Sequence, residues 1–110
     1  MKSRIMYIEL KTHAGGHDDR GPARIGRVTF NRTGKTLSYR GRRFQKGGTD
    51  SCANYHDVET NEGYWISGPK KDGTDRHSSG GGPVEIDDDV RAEYWTEIRE
   101  HPERAKERFT

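Results

Sequence analysis

Nine basic residues and no acidic one fall between Arg20 and Thr49: Arg20, Arg24, Arg27, Arg32, Lys35, Arg40, Arg42, Arg43 and Lys46. Such side chains on a stiff surface hold phosphates, and arginine does so through two parallel hydrogen bonds. The centre of this stretch, Arg24–Phe44 (RIGRVTFNRTGKTLSYRGRRF), is the leading candidate site. Arg27, Arg32, Lys35, Arg40 and Arg42 would contact phosphates, Phe44 would stack on a base, and Thr29 and Ser38 would add hydroxyls. The alternative is that these arginines pair with acidic residues near the C-terminus, Glu93, Glu97 and Glu100, or stand in water.

Other groupings point to chemistry less directly. Gly68-Pro69-Lys70-Lys71-Asp72-Gly73 is a second basic turn. Gly-rich loops with lysines can cradle phosphate, but this one lacks P-loop spacing and precedes no helix, so Lys70 and Lys71 form a secondary candidate. His13, His17, Asp18 and Asp19 carry metal-ligating atoms on a Gly-rich loop that a metal would first have to order, and no metal site is expected. Cys52 and His56 share one strand face but lie about 13 Å apart by strand rise, too far for a nucleophile and its base. Asp72 and Asp75 lie near Lys70, Lys71 and Arg76 without the spacing of an acid–base pair. Neither catalysis nor a cofactor is expected.

The elements that must position the basic residues come from hydrophobic periodicity. The segment 24–44 reads as one hairpin, with strands over 24–30 and 36–44 reversing at Thr33-Gly34. That register pairs Phe30 with Leu37, Val28 with Tyr39 and Gly26 with Gly41 on an apolar face. Thr29 then faces Ser38, Arg27 faces Arg40 and Ile25 faces Arg42 on a basic one. Residues 3–11 read as a strand with Met6, Ile8 and Leu10 on one face and Ile5 and Tyr7 on the other, hence covered on both sides. Residues 52–59 and 64–67 read as a second hairpin around Thr60–Gly63, with Val58 opposite either Tyr64 or Trp65. Loops fill 12–22, 45–51 and 68–83, and Val84-Glu85-Ile86 suits a short strand. Val90, Tyr94 and Ile98 recur at helical spacing beside Trp95, predicting a helix over 88–100 with Asp87 as its N-cap and Pro102 beyond its end.

Composition bounds the answer. One domain, 1–110, is the default for this length. Ile, Leu, Val and Phe number fifteen, so the core must be small and must lean on five Tyr and two Trp. Net charge is +2, yet residues 1–50 carry +8 and residues 51–110 carry −6. The single cysteine, Cys52, rules out an intrachain disulfide and a thiolate zinc site. With neither a secretory leader nor a membrane-length apolar run, a cytoplasmic protein away from membranes is expected.

The stretches MYIELK, GPARIGRVTFNRTGKTLSYRGRRFQ, NYHDVETNEGYWISGPKKDGTDR and PVEIDDDVRAEYWTEIR together resemble a family of short uncharacterised bacterial proteins. Members sometimes carry the label of a thiamine-diphosphate-dependent synthase of isoprenoid precursors. The chain has no Gly-Asp-Gly followed by an Asn-Asn pair to hold that cofactor's magnesium, and it is too short for the two large domains such a synthase needs. The resemblance implies no assigned site residues.

The reading is therefore an α+β, mainly β domain: a small curved antiparallel sheet or open barrel of four to five strands in a meander, closed by one C-terminal helix. Its expected role is non-catalytic binding of an anionic partner, RNA or DNA, through the basic hairpin. The rival is a protein-interaction or homodimerisation module using Tyr64, Trp65 and Trp95.

Overall fold

The computed structural model describes residues 2–10, 12–13, 16–17, 23–47, 53–72 and 84–110. Strands β1 (Lys2–Leu10), β4 (Ala23–Phe30), β5 (Thr36–Tyr39), β6 (Arg42–Lys46), β7 (Tyr55–Asp57) and β8 (Gly63–Ser67) pair in that order. β8 returns to pair with β1, so the six strands form a closed antiparallel barrel rather than an open sheet of four or five. Closure follows from the length of β1. Its residues from Lys2 to Glu9 face β4 on one side, and Tyr7 to Leu10 face β8 on the other. Two-residue strands β2 (Thr12–His13) and β3 (Gly16–His17) pair with each other, and β9 (Glu85–Ile86) lies parallel to the start of β4.

The double apolar faces of β1 and β4 create two cores. Met6, Ile8, Val28, Leu37, Tyr39, Phe44, Tyr55, Tyr64 and Ile66 fill the barrel. Ile5, Tyr7, Ala23 and Ile25 point outward and are covered by Val84, Ile86, Val90, Tyr94 and Trp95. The C-terminal helix thus packs its Val90/Tyr94 stripe and Trp95 on the barrel wall, with Ile98 at the margin. It opens as a 3-10 turn (Asp88–Val90), passes through one α turn (Arg91–Glu93) and widens into a π segment (Tyr94–Ile98). A π turn rotates less per residue than an α turn, so the adjacent Tyr94 and Trp95 can both be fully buried. Glu100, at φ 57°, ends the helix two residues before Pro102.

Several sequence expectations need correction. The predicted strand 36–44 is two strands, because the chain reverses again at Arg40-Gly41. Both residues have positive φ (50° and 79°), the signature of a two-residue type I′ turn joining Tyr39 to Arg42. The β4–β5 ladder therefore contains Thr29–Ser38 and Phe30–Leu37, as expected, but stops there. The pairs Val28–Tyr39, Gly26–Gly41, Arg27–Arg40 and Ile25–Arg42 do not form; β9 occupies that flank of β4 at Arg24 and Ile25. Residues 52–59 shorten to Tyr55–Asp57 among the described residues, and Tyr55 faces Tyr64. Val58 opposes neither Tyr64 nor Trp65: its N–H donates to Arg43 O at 3.1 Å. Asp87 precedes the helix in extended conformation but makes no side-chain capping bond.

Candidate functional site

The chain reverses around Thr33-Gly34, as the alternation predicts, through a loop pinned by one side chain. Asn31 Oδ1 accepts from the Thr36 N–H at 3.2 Å and from the Thr33 hydroxyl at 3.3 Å. The backbone closes the same loop with Asn31 N–H to Thr36 O at 2.9 Å and Gly34 N–H to Asn31 O at 3.1 Å. Gly34 supplies the required left-handed residue at φ 75°. Arg32 and Lys35 stand exposed on this braced loop.

Register places the first residues of β1 beside it. Lys2 lies opposite Phe30 and Arg4 opposite Val28. An open groove of about 550 Å³ results, lined by Lys2, Arg4, Phe30 and Asn31 through Gly34. Phe30 is only half-buried, packed against the barrel core from its rim. Lys46, whose N–H donates to Lys35 O at 2.7 Å, adds a cation at the same barrel end. Among the described residues, Lys2, Arg4, Arg32, Lys35 and Lys46 form no ion pair.

The other predicted arginines are differently placed. Arg27 reaches the helix, with Nη2 2.6 Å from Glu93 Oε1. That is a surface pair worth about 0–1 kcal/mol, and it matches the alternative reading of this residue. Arg42 points to the opposite end of the barrel and is held by Asp57 at 2.7 Å, the Tyr64 hydroxyl at 3.2 Å and Glu62 at 3.6 Å. Arg40 sits in the type I′ turn, 3.8 Å from Asp87. The row of guanidinium groups expected on one hairpin face is thus divided between two barrel ends. Phe44 is not available to a base: it is 1% exposed and closes edge-on against Tyr64 at 4.8 Å. A two-residue turn inverts which positions face inward, and so carries Arg42 and Phe44 to the inner side. Lys71 lies exposed in a second groove with Arg4 and Arg27, opposite Glu93 and Glu97, while Lys70 has a partner of its own.

The second polar cluster surrounds Asp87, 8% exposed at the helix start. Arg24 Nε donates to Asp87 Oδ1 at 2.8 Å, and the Tyr39 hydroxyl donates to Oδ2 at 2.6 Å. Burial, then the hydrogen bond and charge of Asp87, push the Tyr39 phenol well above its ordinary value, so it stays a neutral donor. Arg108, bonded to Glu85 at 2.6 Å, holds that carboxyl below the usual range against a smaller effect of burial, and Arg24 assists. Sequence reading missed this network because Tyr39 and Arg24 lie 48 and 63 residues from Asp87, and no spacing signals such contacts.

Of the interaction aromatics, Tyr64 and Trp95 are buried and Trp65 alone is exposed, at 39%. Among the described residues no helix is long and apolar enough to cross a membrane. Side chains of His13 and His17, together with Asp18, Asp19, Cys52 and Asp75, lie outside the described residues. No family model, curated protein or solved structure matches the chain, so the geometry stands by itself.

Proposed function

We propose that the protein is a non-catalytic binding module for single-stranded nucleic acid, using the groove beside residues 31–35. One observation carries this reading: five cations at one barrel end are unpaired among the described residues, and a half-exposed phenyl ring lines the groove with three of them, Lys2, Arg4 and Arg32. Arg32, Lys35, Lys2 and Arg4 take phosphates, and Phe30 offers its ring to a base, which suits an unpaired strand better than a duplex. Arg24 and Arg42, at the far barrel end, are already neutralised by carboxylates and contribute little.

The test is fluorescence anisotropy with a mixed-sequence single strand across a range of salt. Four phosphate contacts correspond to a slope of about −3 in log K against log salt. Arg32→Ala or Lys35→Ala should each flatten the slope by about 0.7, whereas Arg27→Ala should leave it unchanged. Phe30→Leu keeps the apolar packing but removes stacking worth about 1 kcal/mol or more. Absence of binding at about 50 mM salt, or equal losses for Arg27→Ala and Arg32→Ala, would overturn the proposal.

A further inference from the structure

The other mouth of the barrel holds a cavity of about 330 Å³, near the lower bound of the ~300–1,000 Å³ usual for ligand pockets. Its apolar lining is Ile8, Leu10, Phe44 and Tyr64. Three guanidinium groups stand at the rim, from Arg24, Arg40 and Arg42. Two are committed. Arg24 is bonded to Asp87 at 2.8 Å and to Glu85 at 3.1 Å, and Arg42 lies 2.7 Å from Asp57 and 3.6 Å from Glu62.

Arg40 differs. Its Nη1 stands 3.8 Å from Asp87 Oδ1, beyond hydrogen-bond reach, and its side chain is 57% exposed. The Asp87 oxygens already accept from Arg24 and Tyr39, leaving little for Arg40 to gain there. Its backbone is left-handed at φ 50°, in the first position of a turn that favours Asn, Asp or Gly. A strained residue holding an open cation over an apolar cavity is a combination that functional sites share.

We propose that this mouth binds a small monocarboxylate with an aliphatic or aromatic body. The body displaces water from the half-buried Leu10, which lies over buried Ile8 and Phe44, and the carboxylate takes the two parallel N–H donors of Arg40. A polyphosphate fits poorly, because Glu62 lines the same cavity and only one guanidinium is open. The site lies at the opposite barrel end from the nucleic-acid groove and does not depend on it.

3-Phenylpropionate, its neutral amide and inorganic phosphate are the probes, read by calorimetry and by NMR shifts at Phe44 and Tyr64. The acid should bind saturably with shifts at both rings, and at least about tenfold tighter than the amide, since a charged bidentate contact is lost in the latter. Arg40→Gly tolerates the turn conformation, so the fold persists; it should abolish the preference for acid over amide. Arg40→Lys should keep the charge and lose part of the preference. Arg32→Ala should change nothing here, which separates this site from the groove. No saturable binding of the acid, equal affinity for the amide, stronger binding of phosphate, or undiminished acid binding by Arg40→Gly would each overturn the proposal.

Discussion

Gly26 is where a single atom matters most. A Cβ there would lie 2.4 Å from Tyr39 Cε1 and 2.5 Å from Asp87 Oδ2, so the absence of a side chain is what lets Tyr39 cross to Asp87. Gly26→Ala should destabilise the fold by about 1–3 kcal/mol in urea titration, the usual cost of overpacking. Asp57 yields a pH prediction. Burial pushes its carboxyl up, but the N–H groups of Glu59 and Thr60 and the Arg42 guanidinium outweigh that and hold it below the usual range. A carboxyl depressed in the folded state contributes fully above its unfolded value, about 3.9, and loses that contribution as pH falls through the folded value. Wild-type stability should therefore fall more steeply than that of Asp57→Asn between pH 4 and lower values, and parallel slopes in acid denaturation would refute this.

Among the elements, the β7–β8 pair shows a side chain acting as backbone. Asn54 Nδ2 donates to Ile66 O at 2.7 Å and its Oδ1 accepts from Ile66 N–H at 2.8 Å, continuing the ladder beyond Tyr55. Asn54→Leu should cost about 1–3 kcal/mol by leaving both Ile66 groups unsatisfied, measured by denaturant midpoint. Element by element, legibility tracked periodicity. The alternation through Phe30 and Leu37 gave the reversal and its register, and Val90/Tyr94/Ile98 gave the helix and the face it buries. Arg40-Gly41 is a weak hairpin signal because an Arg-Gly pair is not a favoured turn dipeptide; the trace it leaves is a phase slip, since Phe44 falls out of step with Leu37 and Tyr39. Missing that turn inverted Arg42 and Phe44, and with them half of the candidate site. Arg32 and Lys35 kept their exposed positions because the loop carrying them was read correctly. Lys2 and Arg4 were missed as site residues because only barrel register brings them to that loop.

For the whole molecule, the two cores share one wall, β1 and β4. Loss of the helix layer would uncover Ile5, Tyr7 and Ile25 on strands that also wall the barrel interior. Unfolding should therefore be a single transition. In Trp65→Phe, the fluorescence of buried Trp95 reports on the helix layer, while circular dichroism reports on the strands. Their urea midpoints should coincide, and an earlier fluorescence midpoint would mean that the layers come apart separately.

Closing the ring through β1 and β8 brings residue 7 against residue 67. Of the six barrel strands, β1 is made before the others and finds its second neighbour only once β8 exists, while the pairings within 36–46 are local and can form at once. Late long-range closure slows folding, because the entropy of joining distant segments is spent before any contact rewards it. During synthesis β1 waits with greasy side chains on both faces uncovered, and apolar surface exposed in that way is prone to aggregate before the ring closes.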